Sequence, residues 1–107
     1  MFTINGEQWK VLLVHPYHPK LQRSNGTYTI GVCDDNDKCI YIANNLNKIY
    51  LQKVLSHEIT HAAMFSYNIE LSIEQEELLA DLIATYGQEI IYITNLFFKR
   101  IQEKRTL

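Results

Sequence analysis

The sequence predicts an α+β fold in which a small N-terminal antiparallel sheet, including a β-hairpin, packs on two long helices. Short runs of β-branched and aromatic residues occupy the first part of the chain. From Asn47 onward, the apolar residues recur with the 3.6-residue period of an α-helix. Because the 107 residues contain no repeat, low-complexity tract or linker, we expect residues 1–107 to form a single domain with one core.

The predicted strands come first. Residues 8–14 are rich in β-formers, which fits a strand or a short helix, and a loop with two prolines follows at residues 14–20. Two further runs, residues 27–33 and 38–42, flank the sequence Asp-Asp-Asn-Asp, whose residues tolerate the backbone conformations of a tight turn. These runs predict a β-hairpin. Its turn, residues 34–37, lacks the twelve-residue ligand loop of a calcium site, so we expect it to be solvated.

Two helices are predicted in the remainder of the chain. The first extends from about residue 47 to residue 66, because asparagines suited to an N-cap precede it and its interior contains no Gly or Pro. The second begins at Ser72, which forms a capping-box pattern with Gln75. If it continued to about Lys104, it would be roughly 48 Å long, more than the diameter of the domain. We therefore expect either a break near Gly87 or a C-terminal arm that projects from the domain.

Composition and charge exclude several function classes. The chain has 47% hydrophobic residues, which excludes a disordered protein, and a net charge of −2, which gives nucleic acid no positive surface to bind. We find no secretory signal, and the longest apolar segment, residues 90–98, is about half the length of a membrane span. The sequence therefore predicts a cytoplasmic protein that binds no membrane. In that reducing compartment we expect Cys33 and Cys39 to be free thiols, the alternative being a disulfide across the hairpin.

The first predicted helix contains the motif His-Glu-x-x-His at residues His57–His61. Histidines four residues apart project from one helix face and can bind one metal ion, while Glu58 can reach a water that the metal activates. The motif would occur by chance in roughly one chain in a hundred of this composition. The helix is apolar nearly all round, and ionisable groups on a buried helix are costly unless they are paired or bind metal. A metal site is therefore favoured over a solvated polar face.

A third protein ligand is expected from the second helix. Glu77 and Asp81 lie one turn apart on one face and interrupt the apolar stripe that would pack against the first helix. We predict Glu77 as the ligand and Asp81 as the acceptor of a hydrogen bond from a ligand histidine. Glu76 or Asp81 in place of Glu77 is the alternative. Glu74 and Glu76 fall on other faces of the helix, and we expect them to be solvated.

These two motifs resemble the gluzincin pattern of zincin metallopeptidases, which is HExxH followed by ExxxD, here Glu77–Asp81. The arrangement over residues 27–90 is similar to the small phage and bacterial zinc-dependent peptidases of the ImmA/IrrE kind, in which a hairpin leads into the HExxH helix. The resemblance implies a minimal zincin-like fold, a zinc ion, and hydrolysis of a peptide bond in a protein or peptide substrate. It also implies that residues 38–42 form the edge strand along which an extended substrate binds.

The mechanism that we expect gives each residue of the site a role. Zinc would be held by His57, His61 and Glu77. Glu58 would act as general base toward the attacking water and would then pass the proton to the leaving amine. Asp81 would orient a ligand histidine from behind.

Spacing leaves two further points open. The donor that would stabilise the oxyanion beside the zinc is not fixed, and the candidates are Tyr67, His15 and His18. The two loop histidines could also form a second metal pair, but an ordinary role in the loop is favoured.

An alternative function is a zincin-like binding module with weak catalysis that acts through protein contacts. The apolar segment 90–98 motivates this alternative, and it also suggests a homodimer through the C-terminal helix unless it packs on the hairpin.

Overall fold

The computed structural model describes residues 1–105. The elements in chain order are β1 (Phe2–Ile4), β2 (Glu7–Val14), a 3-10 turn (Pro19–Leu21), β3 (Gly31–Asp34), β4 (Cys39–Ala43), α1 (Lys48–Ser66) and α2 (Ile73–Arg105). The predicted α+β class, with the sheet N-terminal to two helices, is confirmed.

The four strands form one mixed sheet in the order β1-β2-β4-β3. The pairs β1/β2 and β3/β4 are antiparallel, whereas β2 and β4 are parallel. The small sheet predicted as antiparallel is therefore mixed, because the loop after β2 carries the chain across the sheet before β3 begins and leaves β2 parallel to β4. The β1–β2 hairpin was not predicted, although its turn residues Asn5 and Gly6, with φ of 48° and 79°, form a typical hairpin dipeptide.

Strand β4 is the centre of the sheet, and all five of its residues are buried. Ile40 and Ile42 pack with Trp9 on the face covered by α1, and Leu21 of the 3-10 turn belongs to the cluster on the opposite face. The expectation that residues 38–42 form the edge strand is therefore wrong. Strand β2 pairs with one side of β4 and β3 with the other, so β3 is the edge strand at this end of the sheet.

The predicted hairpin of β3 and β4 is confirmed, with a shorter first strand than expected. Residues 27–29 do not pair with β4, because Thr27 and Thr29 bond with the segment around the 3-10 turn, and Ile30 makes a single hydrogen bond to Ala43. Thr29 N donates to Leu21 O at 2.9 Å, and Arg23 N donates to Thr27 O at 2.7 Å. Strand β3 therefore begins at Gly31, where the chain turns toward α1.

Cys33 and Cys39 are free thiols, as predicted. Cys33 packs with the cluster under α1, and Cys39 belongs to the cluster on the other face of the sheet, so their side chains point in opposite directions. Burial raises the pKa of the Cys33 thiol to about 12, so this thiol is protonated and poorly nucleophilic at neutral pH.

The acidic turn between β3 and β4 is paired with lysine. Lys20 Nζ lies 3.0 Å from Asp34 Oδ2 and 3.0 Å from Asp37 Oδ2. The two aspartates therefore share one cation. These bonds to Lys20 lower the pKa of both carboxyls.

Both predicted helix starts are confirmed. Asn47 Oδ1 accepts a hydrogen bond from Tyr50 N at 2.8 Å at the start of α1. The capping box of α2 is complete, since Ser72 Oγ accepts from Gln75 N at 3.2 Å and Gln75 Oε1 accepts from Ser72 N at 3.1 Å.

The second helix continues through Gly87 without a break over 33 residues. The projecting arm is therefore the correct one of the two predicted outcomes, and it accounts for the extents of 61 × 31 × 27 Å. Neither described helix is both long enough and apolar enough to span a membrane.

Helix α1 joins the sheet to α2. Ala62 is fully buried against Trp9, Ile40 and Ile42 on the sheet side. Trp9 Nε1 also donates to Ser66 Oγ at 2.8 Å, which fixes the C-terminal end of α1 to β2. With this side anchored, the opposite side of α1 faces α2.

Candidate metal centre

Helix α1 brings the two histidines of the HExxH motif together. The Nε2 atoms of His57 and His61 are 3.2 Å apart. Their side chains are 23% and 12% exposed, so both lie in the interface with α2 but within reach of solvent. The four-residue spacing places one ring a helical turn above the other, and both rings point to the same place.

Glu77 of α2 completes the cluster. Its Oε2 lies 3.3 Å from His57 Nε2, and its Oε1 lies 3.0 Å from His61 Nε2. Ligand atoms at about 2.0–2.1 Å from a tetrahedral zinc ion are about 3.3 Å from one another, close to the separations found here. The three residues therefore fit one metal ion, and they form the one group of this kind within residues 1–105.

Two further carboxylates hold the histidines from behind. His57 Nδ1 lies 3.0 Å from Asp81 Oδ1, and His61 Nδ1 lies 2.7 Å from Glu76 Oε1. A carboxylate at Nδ1 keeps the ring proton there and leaves the Nε2 lone pair available for a metal. Asp81 thus lies where the sequence predicted it.

The expectation that Glu76 is solvated is wrong, because its side chain is 23% exposed and bonds to His61. The two helices run antiparallel, so the later histidine of α1 meets the earlier carboxylates of α2. A single helical wheel puts Glu76 and Glu77 on different faces. The line of contact between the helices passes between them, and both reach His61. A signal was available in the two histidines at i and i+4, which present two Nδ1 atoms that each require an acceptor.

Glu58 lies beside this cluster and is 6% exposed. Burial raises the pKa of its carboxyl, and the neighbouring His61 and His57 oppose part of that rise. Strand β3 passes very close, since a Cβ added to Gly31 would lie 3.2 Å from Glu58 Cγ and 2.8 Å from Val54 Cγ1. Glycine at position 31 therefore lets the edge strand approach the glutamate.

A cavity of about 240 Å³ opens next to His57 and Glu58. Its other lining residues come from the segment that leads into β3, from α1 and from α2: Thr29, Ile30, Gly31, Tyr50, Lys53, Val54, Asp81 and Ala84. The cavity therefore lies between the edge strand and α2, with α1 as its floor.

The edge of β3 presents main-chain groups on this side of the sheet. Ala43 N donates to Ile30 O at 3.0 Å, and the residues that bond to the neighbouring strand alternate in an antiparallel pair. The main-chain N–H and C=O of Gly31 therefore point away from β4. Apart from a long bond of 3.4 Å from Thr29 Oγ1 to the Gly31 carbonyl, these groups can pair with an added strand.

The loop histidines lie outside the His57, His61 and Glu77 cluster. His15 Nδ1 accepts from Tyr17 N at 3.1 Å, and His18 Nδ1 accepts from Lys20 N at 3.0 Å. The ring of His18 stacks on Tyr41 at a centroid distance of 5.9 Å, on the sheet face opposite α1. Both rings therefore have an ordinary role in the loop, and neither His15 nor His18 lines the cavity beside Glu58.

Tyr67, the other candidate for the oxyanion donor, caps the C-terminus of α1 and does not line the cavity either. Tyr50 and Lys53, which were not predicted as site residues, do line it. A signal existed, since Tyr50, Lys53 and His57 are spaced at i, i+3 and i+7 along one helix face.

The chain matches no protein-family model, no curated protein and no solved structure at a significant level. The observations that bear on its function are therefore the His57, His61 and Glu77 cluster and the cavity beside Glu58.

Proposed function

We propose that the protein is a zinc-dependent peptidase in which His57, His61 and Glu77 hold the metal ion and Glu58 is the general base. The observation that carries this proposal is the convergence of the three ligand side chains, with separations of 3.2, 3.0 and 3.3 Å between their donor atoms. Two imidazole nitrogens and one carboxylate are a donor set typical of catalytic zinc, which leaves a position for water or substrate.

Zinc held here would lower the pKa of a coordinated water and polarise the substrate carbonyl. Glu58 would take the proton of the attacking water and then donate it to the leaving amine. The raised pKa of Glu58 supports this double role, because its carboxylate binds a proton more readily than a solvated carboxylate. Asp81 and Glu76 would fix the ring orientation of the two histidines throughout.

The substrate of this proposal is an extended segment of a protein or peptide. It would add to the free edge of β3 at Gly31 and pass through the cavity toward Glu58. Tyr50 is our candidate for the oxyanion donor, because its hydroxyl belongs to a residue that lines the cavity with His57. The two free cysteines fit a cytoplasmic location, and the motif resemblance suggests a phage or bacterial protein of the ImmA/IrrE kind.

A second candidate function is a zincin-like binding module whose metal is structural. The exposed apolar side chains of α2 favour it, since they offer a large surface for a partner. This candidate predicts metal binding without hydrolysis.

Metal analysis and an activity assay distinguish the two. We expect purified wild-type protein to contain one zinc per chain and His61→Ala to lose it, while Glu58→Gln retains the zinc. Cleavage of a fluorescence-quenched peptide library should be present in wild type and absent in Glu58→Gln. Glu74→Gln, an exposed glutamate of α2, is the matched control and should behave as wild type. Zinc without cleavage would support the binding module, and wild type without metal would refute both.

A further inference from the structure

Helix α2 exposes a continuous apolar stripe, which we call the seam. Six residues with alternating spacings of four and three form it: Leu79, Ile83, Tyr86, Ile90, Ile93 and Phe97. Five of these side chains are between 39% and 54% exposed, Ile83 the least and Tyr86 the most. The seam is about 27 Å long at 1.5 Å per residue, and exposed apolar surfaces of this extent usually mark a contact site.

The spacing of the seam indicates what covers it. An average spacing of 3.5 residues keeps apolar side chains in line with a second helix that supercoils around the first. A globular surface or a peptide strand has no such period. The chemistry that fits the seam is therefore another helix with the same pattern.

Charge along α2 identifies that helix as a second copy in reversed orientation. Residues 73–89 carry five acidic side chains and no basic one, and residues 90–105 carry four basic side chains and one acidic one. A bound divalent cation would reduce the first half from −5 to −3 and leave the second at +3. Two antiparallel copies place opposite charges side by side, whereas two parallel copies place like charges together.

We propose that two copies of this chain form a dimer through an antiparallel pairing of their α2 helices. In this register, Tyr86 packs on the partner's Ile90, Ile83 on the partner's Ile93, and Leu79 on the partner's Phe97. All six seam residues are then paired, and the two-fold axis passes close to residue 88. Gly87 lies beside that axis, where the absence of a side chain lets the two helices approach. Such an interface is isologous and closed.

The same symmetry covers a second exposed stripe of α2. Ile91 and Phe98 are each 59% exposed and follow Ala84, which faces the cavity beside α1, at steps of seven residues. They therefore continue the face of α2 on which α1 packs. A two-fold axis perpendicular to an antiparallel helix pair keeps both α1 helices on the same side of the pair of α2 helices. The partner's domain then lies beside Ile91 and Phe98.

Sedimentation equilibrium of the full chain tests the dimer. We expect a mass of twice the 12.6 kDa of one chain at micromolar concentration. Ile93→Glu, in the seam, should raise the dimer dissociation constant at least tenfold. Tyr92→Glu is the control, because Tyr92 is 69% exposed and lies away from the seam. Wild type that stays monomeric, or equal effects of the two substitutions, would overturn the proposal. Circular dichroism checks that each variant is folded, and Ile93→Ala replaces Ile93→Glu if the latter is not.

Salt and one further substitution test the orientation. Opposite charges side by side predict that the dissociation constant rises with sodium chloride concentration, because salt screens the attraction. A dissociation constant that falls with salt would indicate parallel helices and overturn the antiparallel pairing. The proposed register also brings Glu89 close to its own copy near the two-fold axis. Glu89→Gln should therefore tighten the dimer, and a weaker dimer would contradict the register. The pairing does not depend on the proposed zinc, because residues 73–89 stay acidic with or without a divalent cation.

Discussion

Glu76 offers the sharpest test of the proposed zinc site, because it contacts His61 from outside the His57, His61 and Glu77 cluster. Its Oε1 lies 2.7 Å from His61 Nδ1, and its side chain is 23% exposed. Glu76→Ala removes the acceptor that holds the ring proton on Nδ1. Losing such a partner usually lowers metal affinity about 10- to 100-fold, or about 1.4–2.7 kcal/mol. We expect a loss of this size in zinc affinity, with one zinc still bound at saturation.

The assay is a competition titration of metal-free protein against a chromophoric chelator of known zinc affinity. Glu74→Ala is the matched control, since Glu74 is an exposed glutamate two residues earlier on the same helix. Asp81→Ala should cost less than Glu76→Ala, because the Asp81 side chain is 69% exposed and its bond to His57 is more solvated. An affinity unchanged by Glu76→Ala would refute the role of the outer carboxylates. Loss of the site altogether would mean that Glu76, and not Glu77, is the third ligand.

Three further outcomes are expected. Glu58→Gln should make the metal-free protein about 1 kcal/mol more stable at neutral pH. Because burial raises the pKa of Glu58, the stability of wild type falls as pH rises through that raised pKa. The free energies of unfolding of the two proteins in urea should therefore agree at acid pH and differ at neutral pH. Equal values at neutral pH would contradict a buried carboxylate. Gly31→Ala should lower the free energy of unfolding by about 1–3 kcal/mol, because the new methyl would lie 2.8 Å from Val54 Cγ1. A variant whose free energy of unfolding equals that of wild type would argue against this contact. Tyr50→Phe should lower kcat about 10²- to 10³-fold with little change in KM if its hydroxyl stabilises the oxyanion, and unchanged kinetics would remove it from that role.

Local signals predicted the helices and most of the site. Asn47, Ser72 and Gln75 mark the helix starts through contacts within a few residues, and the spacing of His57 and His61 fixes their common face. These features depend on one helix at a time. For that reason they could be inferred from the sequence without knowing the tertiary structure.

Features that depend on pairing between distant segments were missed. The run Cys39–Ala43 does not alternate between apolar and polar residues, which is typical of a strand buried on both faces. That pattern indicated a central strand, but only the parallel pairing with β2 shows which strands flank it. Glu76 was missed for a similar reason, because its partner is set by the antiparallel packing of two helices. The continuity of α2 through Gly87 likewise reflects a cost of only about 1 kcal/mol for one glycine in a long helix.

The way α2 is attached to the domain has a consequence for the metal-free state. Ala80 is the buried residue among the 33 of this helix, so little apolar contact holds α2 against α1. The contacts between the two helices around His57 and His61 are instead polar and include four carboxylates. These carboxylates repel one another when no cation is present. We expect metal loss to release the first turns of α2 as a local unfolding unit, while the sheet and α1 stay folded. If zinc binds as proposed, amide hydrogen exchange of α2 would depend on zinc concentration, and so would the opening of the cavity.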